Sequence, residues 1–426
     1  MVLKSWVASA NEPDSEFPLV NLPYGLFRHG GRTQIGVAIG RWVLGLRTCA
    51  EEGLLGKISE YLSDACRSHR LNALMALGPA SWSSLRRHLI SLLAENAGSS
   101  IKQRIEPLLV PMSDVEMQLP AEIGNYTDFY ASIHHATRMG RRFRPDTPLL
   151  PNYKYVPVGY HGRASSIVVS GTGIHRPFGQ IRVPTEAAPV YQASQALDFE
   201  LEMGFFIGAG NPLGTRVPIA HAEEHVFGLC LVNDWSARDI QPWEYQPLGP
   251  FLAKNFATTI SPWVVPLEAL AHARVPAAPR PAGDPAPLLY LTAPSSAHGA
   301  FDVTLEVYLQ SKQMRTLGME PALITRGNLR DLYWTMAQLV THHASNGCNL
   351  RPGDLLATGT ISGAHEGSEG CLMEKQKDGG EAVRLPSDEP RRFLDDGDTV
   401  TFRAYAARDG CRIGFGACTG TILETD

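Results

Sequence analysis

Residues 196–208, Ala-Leu-Asp-Phe-Glu-Leu-Glu-Met-Gly-Phe-Phe-Ile-Gly, alternate strictly between apolar and acidic side chains before the acidic series ends at Gly204. The period of two predicts a β-strand with Phe199, Leu201 and Met203 on one face and Asp198, Glu200 and Glu202 on the other. Carboxylates two residues apart on a strand face are about 7 Å from one another, which at an effective dielectric near 20 costs roughly 2 kcal/mol per neighbouring pair. Two arrangements relieve that repulsion. Either the acidic face is the solvated outside of an antiparallel strand, or it holds a hard cation such as Ca²⁺ or Mg²⁺, which takes carboxylate oxygens.

The chain has 426 residues, enough for two domains and a sizeable core. Hydrophobic residues make up 44% and charged residues 19%, a soluble globular balance, and a net charge of −5 gives no general affinity for nucleic acid or an anionic membrane. Glu12, Asp14 and Glu16 follow soon after Met1 with no apolar segment between, so no signal or transit peptide is expected, nor a membrane span. The seven cysteines are scattered without a Cys-x-x-Cys pair, which fits reduced thiols in a cytoplasm.

Short strands and turns are expected over residues 17–50, including a hairpin about Gly40-Arg41. Helical spacing follows at Leu54, Ile58 and Leu62 and again at Leu85, Leu89, Leu92 and Leu93, the second run capped at Ser81, Ser83 or Ser84. Residues 1–118 thus read as a small β-rich domain with accessory helices, and 119–426 as a larger antiparallel or mixed β domain with function on its loops. Residues 275–299 are proline-rich and read as a surface loop. One helix is expected from an Asn328 cap through Leu329, Leu332, Tyr333, Met336, Leu339 and Val340, ending at Gly347.

No serine-hydrolase elbow, Walker A loop or Gly-x-Gly-x-x-Gly is present. His221-Ala222-Glu223-Glu224-His225 has inverted zinc-protease spacing, but no third ligand is marked and a polar helix face explains it better. Arg138, Arg141, Arg142 and Arg144 read as a solvated face or as one arginine gripping a substrate carboxylate. Three segments offer partners for the acidic strand. Asp128-Phe129-Tyr130 with His134-His135 forms a loop-like stretch, Asp234 lies at the end of an apolar strand, and Lys254 sits among apolar neighbours.

Together these segments resemble the fumarylacetoacetate hydrolase family over nearly the whole chain: residues 17–27 (FPLVNLPYGLF), Asp128 to Tyr130 with His135, 158–171 (VGYHGRASSIVVSG), 197–206, 233–249, 254–265, 357–363 (ATGTISG) and 412–416. The resemblance implies a mainly β fold with accessory helices, an SH3-like β-barrel followed by a mixed β-sandwich roll, and a homodimer. It implies hydrolysis of 4-fumarylacetoacetate to fumarate and acetoacetate, with Ca²⁺ or Mg²⁺ on Asp128, Glu200, Glu202 and Asp234, and Lys254 and Thr258 beside a magnesium position. His135, counted seven residues from Asp128, matches the base; Glu374, placed by the local spacing Gly370-Cys371-Leu372-Met373-Glu374, matches the carboxylate that orients it. Arg238, Gln241 and Lys254 match oxyanion donors, and Tyr130, Arg144, Gln241, Tyr245 and Thr360 match substrate contacts. Asp198 is expected to support the site rather than ligate the ion.

Cleaving a 1,3-diketone without a serine or cysteine nucleophile leaves water as the attacking group, activated by His135. Each oxyanion donor is then worth roughly 3 kcal/mol. Decarboxylation or acylpyruvate hydrolysis on the same scaffold, and a non-catalytic calcium-binding β module, are the alternatives.

Overall fold

The computed structural model describes residues 3–293, 299–376, 382–408 and 410–424. Among the described residues, the leading segment forms a five-stranded antiparallel sheet in the order Leu109–Pro111, Trp42–Gly45, Arg32–Ile39, Tyr24–His29, Glu116–Gln118. The hairpin turns at Gly40, whose φ of 57° lies in the left-handed region. The helix Pro79–Leu93 buries Leu85, Leu89, Leu92 and Leu93. It starts at Pro79 with Gly78 before it, so the caps expected at Ser81, Ser83 or Ser84 fall inside the helix; the proline supplies a preset φ at the first turn.

The second part of the chain is built on two sheets. The larger has eight strands among the described residues, in the order Gly159–Gly162, Tyr126–Phe129, Leu355–Ala357, Leu201–Ile207, Val226–Asp234, Thr258–Ile260, Ile167–Val169, with Val265–Pro266 paired beside Val226–Asp234. Two of its pairings are parallel, Leu355–Ala357 with Tyr126–Phe129 and Thr258–Ile260 with Ile167–Val169; the others are antiparallel. The smaller sheet carries Ala322–Asn328, Thr304–Gln310, Thr399–Arg408, Cys411–Gly414, Cys418–Ile422 and Gly173–Ile174. Leu201, Met203, Phe205, Leu229 and Leu231 of the large sheet share one core with Leu305, Val307, Leu309, Val400 and Phe402 of the small one.

The opposite face of the large sheet is covered by the leading segment. Phe206, Phe227, Cys230, Val232, Ile260 and Leu355 lie in one core with Leu26, Ile35, Val37, Leu85 and Leu89. Period-two geometry puts Glu202, Asp128, Asp234 and Thr258 on that same face, because they are two or four residues from Phe206, Tyr126, Val232 and Ile260 in their strands. Register then sets them side by side: Asp128 is opposite Ala357, Ala357 opposite Gly204, and Asp234 opposite Thr258. One sheet face is therefore apolar where the leading segment covers it and acidic where the strands run on toward the loops.

Three expectations need correction. Residues 196–208 are not one strand. Leu197–Asp198 pairs with Ser236–Ala237, and the strand Leu201–Ile207 begins only after Glu200, whose N–H is taken by the Asn233 side chain at 3.1 Å instead of a ladder carbonyl. The stretch holding Asp128 and His135 is not a loop but the strand Tyr126–Phe129 followed by the helix Ile133–Phe143, capped by Ser132. The helix expected from Asn328 is two pieces. Asn328 caps a single 3-10 turn, Leu329–Asp331, and Thr335 opens the helix Met336–Ala344 with a capping box to Gln338. Between them the Tyr333 N–H donates to the Ala131 carbonyl at 3.0 Å, so a tertiary partner replaces the helical one. Of the proline-rich segment, residues 294–298 lie outside the described residues; the rest is largely exposed, as expected of a surface loop, with Arg280 stacked over Tyr333 and Trp334.

Candidate active site

Asp128, Glu200, Glu202 and Asp234 each offer a carboxylate oxygen, and the four atoms lie within 4.8 Å of one another. All four residues are almost fully buried, which removes the solvated-face alternative. Asp234 accepts from Lys254 Nζ and Tyr160 Oη, each at 2.7 Å, and from Thr258 Oγ1 at 3.1 Å. Glu200 is gripped by Lys254 and by Arg238 Nη1 at 2.8 Å. Burial alone would raise the Glu200 carboxyl, but Lys254, Arg238 and His135 outweigh it and pull it down to about 2.

Glu202 and Asp128 are different. Both Glu202 oxygens and Asp128 Oδ1 are buried with no hydrogen-bond partner among the described residues. Burial, then the surrounding carboxylates, push both groups well above the usual carboxylate range. A buried ionised carboxylate without a partner costs several kcal/mol. Oxygen atoms bound to one divalent ion at about 2.0–2.6 Å span no more than roughly 5 Å, so this donor set fits a hard divalent cation held by Asp128, Glu200, Glu202 and Asp234.

Beside the carboxylates stands a histidine–carboxylate pair. His135, in the first turn of the helix Ile133–Phe143, has its N–H capped by Ser132 Oγ at 3.3 Å, and its Nδ1 donates to Glu374 Oε1 at 2.5 Å. That bond leaves Nε2 as the nitrogen able to accept a proton. Glu374 lies on the short helix Leu372–Lys375 and also accepts from Ser362 Oγ at 2.8 Å, Cys371 Sγ at 3.5 Å and Arg138 Nη1 at 3.2 Å. Burial opposes its charge, yet His135, Ser362 and Arg138 hold the carboxyl down at about 2. The Tyr130 ring meets the His135 imidazole edge-on, centroids 5.3 Å apart.

Arg238 and Lys254 are buried cations against the carboxylates, Lys254 on Glu200 and Asp234 and Arg238 on Glu200, and Gln241 Oε1 is 3.4 Å from Arg238 Nη1. Arg238 Nη2 is buried and has no partner among the described residues. Thr360 is buried with its hydroxyl equally unpartnered, and follows Gly359, where an added Cβ would sit 2.1 Å from the Phe129 carbonyl oxygen. Arg144 ends the helix that begins beside His135; its Nη2 reaches the Pro148 carbonyl at 3.4 Å and its Nε is buried without an acceptor. Tyr245 follows the helix Gln241–Glu244, half-buried, its N–H on the Gln241 carbonyl. Arg144 and Tyr245 are thus tied to the site through their elements, while the other sequence candidates meet directly or lie against backbone that carries the site.

Two comparisons bear on the whole chain. The family profile described as fumarylacetoacetate (FAA) hydrolase C-terminal matches residues 125–423, and that described as fumarylacetoacetase N-terminal matches residues 20–120. The chain belongs to the fumarylacetoacetate hydrolase family. Its relatives in that family include the fumarylacetoacetases of Bos taurus, 49% identical over 96% of this chain and 97% of the other, and of Homo sapiens, 47% identical over the same shares. That of Caenorhabditis elegans is 46% identical over the full length of both. Among solved structures, the fumarylacetoacetate hydrolase of psychrophilic Exiguobacterium antarcticum superposes with a TM-score of 0.51 at 18% identity, covering 95% of this chain and 100% of that one, a likeness of fold.

Within this family frame, four contributors escaped the sequence reading. Tyr160 lies in the quoted 158–171 string but was given no role. Arg138 belongs to the arginine cluster read as a solvated face or as a grip on a substrate carboxylate; three residues from His135 on a helix it shares that residue's face, and it reaches Glu374 instead. Ser362 lies in the quoted 357–363 string and Cys371 in the spacing that places Glu374, but neither has a role there, since a lone hydroxyl or thiol is uninformative without its neighbours. The histidines of 221–225 are engaged elsewhere, His221 with Glu224 at 3.0 Å and His225 with the Ala209 carbonyl at 2.6 Å, in a 3-10 helix.

Proposed function

We infer that the chain hydrolyses the carbon–carbon bond of 4-fumarylacetoacetate to fumarate and acetoacetate, the last step of tyrosine and phenylalanine breakdown through homogentisate. The observation that carries this is a buried four-carboxylate cluster set against a histidine–carboxylate pair and two buried cations, in a chain alike over its whole length to fumarylacetoacetases. His135 Nε2 takes the proton of the attacking water, and Glu374 holds the imidazole and stabilises its charged form. Arg238, Gln241 and Lys254 supply the donors for the tetrahedral oxyanion, each worth roughly 3 kcal/mol. Tyr130, Arg144, Gln241, Tyr245 and Thr360 hold the substrate, the unpartnered Arg144 Nε and Thr360 hydroxyl being donors in want of acceptors.

Asp128, Glu200, Glu202 and Asp234 hold the divalent ion, with Lys254 and Thr258 beside a second, magnesium position. When bound, the ion supplies Lewis-acid stabilisation of the diketone oxygens. Four carboxylates favour Ca²⁺ at the first position, because Mg²⁺ keeps more of its waters. We assign residues 1–118 to an SH3-like barrel and 119–426 to the catalytic β-roll, and expect a cytoplasmic homodimer. The test is direct: fumarate and acetoacetate should appear in equal amounts from fumarylacetoacetate. Turnover of oxaloacetate or an acylpyruvate in its absence overturns the substrate, and unchanged metal affinity of the Glu200→Gln and Glu202→Gln variants in calorimetric titration overturns the metal site.

A further inference from the structure

Asp198 is fully buried, stands apart from the ion's ligands and touches both halves of the machinery. Its Oδ1 accepts from the N–H groups of Phe199 at 2.9 Å and Leu372 at 2.8 Å. Its Oδ2 accepts from the Met373 N–H and from Arg238 Nε, each at 3.0 Å. Leu372 and Met373 open the short helix that carries Glu374, and Glu374 orients His135. On the other side, Arg238 spends Nε on Asp198 and Nη1 on Glu200, which fixes the guanidinium plane and leaves Nη2 as its unpartnered donor. Arginine's planar fork transmits that constraint rigidly, since two held nitrogens determine where the third points.

We propose that Asp198 is a positioning residue that couples the oxyanion donor Arg238 to the His135–Glu374 pair, setting both at once through one carboxylate. The proposal rests on the roles given above to Arg238, His135 and Glu374. The charge of Asp198 matters as much as its place. An asparagine has one acceptor oxygen and an NH₂, so it must confront either Arg238 Nε with Met373 N–H, or Leu372 N–H with Phe199 N–H, donor to donor. In the first orientation the Arg238 link is lost together with the Met373 bond; in the second the helix link is halved, Leu372 being lost while Arg238 and Met373 stay held.

The test uses the metal-loaded enzyme. Asp198→Asn is expected to lower kcat about 10- to 100-fold with KM changed less than about threefold, a split that general loosening of the fold does not produce. Ca²⁺ affinity should stay near that of the native chain, while the melting temperature falls with the buried hydrogen bonds that the asparagine cannot accept. Introduced into Arg238→Ala or Glu374→Gln, Asp198→Asn should cost much less than it does alone, because residues that act as a unit are not additive. A kcat within twofold of native, or full multiplication with both backgrounds, overturns the coupling. Should Asp198→Asn fail to fold, Arg238→Ala with added methylguanidinium answers instead: the Asp198–Glu200 cradle predicts saturable recovery of turnover, and no recovery overturns the proposal. Native-like turnover of Arg238→Ala and Glu374→Gln themselves would sink the underlying roles, an outcome distinct from a failure at Asp198 alone.

Discussion

Glu374 shows how a buried carboxylate stays ionised when its neighbours outweigh desolvation. Its folded value of about 2 lies below the ordinary 4.5, so folding favours the charged form. The resulting stability is complete above the ordinary value and disappears as pH falls toward 2. Acid unfolding followed by circular dichroism should therefore show the stability difference between the native chain and Glu374→Gln shrinking as pH falls through that window, by on the order of 3 kcal/mol. At the same scale, His135→Ala is expected to lower turnover roughly 10²- to 10⁴-fold with the fold intact. His134→Ala should keep most of it, because it is His135, and not the half-buried His134, whose Nδ1 is held by Glu374. A fumarate-release assay checks both; near-normal His135→Ala turnover would move the base to His134.

Between Leu355–Ala357 and the helix Leu372–Lys375, Gly359 holds a place that only glycine fits. Gly359 has φ 75°, and an added Cβ would meet the Phe129 carbonyl oxygen at 2.1 Å and Tyr130 Cα at 3.0 Å. Both contacts are backbone, so nothing can swing aside. Gly359→Ala is expected to cost more than about 2 kcal/mol and to displace Tyr130 and Thr360, lowering melting temperature and turnover together. Element boundaries were only partly legible for a related reason. Period and composition marked the apolar strand that ends at Asp234 and the hairpin about Gly40-Arg41. They misjudged residues 196–208 and 328–347, where the Asn233 side chain and the Ala131 carbonyl take over backbone hydrogen bonds from distant parts of the chain. No local pattern announces such a partner.

For the whole molecule, the carboxylate cluster ties stability to the ion. Asp128 and Glu202 have folded values raised well above the ordinary ones, by burial and then by neighbouring carboxylates. Without an ion, folding favours their protonated forms; that stability is present at low pH and lost as pH rises through the raised values. A bound divalent ion reverses the preference, because it stabilises the ionised ligands. Chelation should therefore lower the melting temperature more at about pH 8 than at about pH 5. Thermal scans with and without EDTA at the two pH values check this, and an equal or opposite difference would contradict it.

The sequence by itself determined the chemistry available: alternating acids in 196–208, an aspartate at a strand end, a histidine seven residues from another aspartate, and buried-type cations between apolar neighbours. It also carried enough family likeness to place Glu374. That likeness also set Asp198 apart from the ligands; only the tertiary structure decided what brings the division about. Asp128, Glu202 and Asp234 come together because three strand pairings put them on one face of one sheet, and Asp198 leaves them because the chain breaks register at Glu200 and turns its carboxylate to Arg238 and the Glu374 helix. The physical reason is that a period of two says which side chains share a face, whereas burial and hydrogen-bond partners depend on strands that meet from far along the chain.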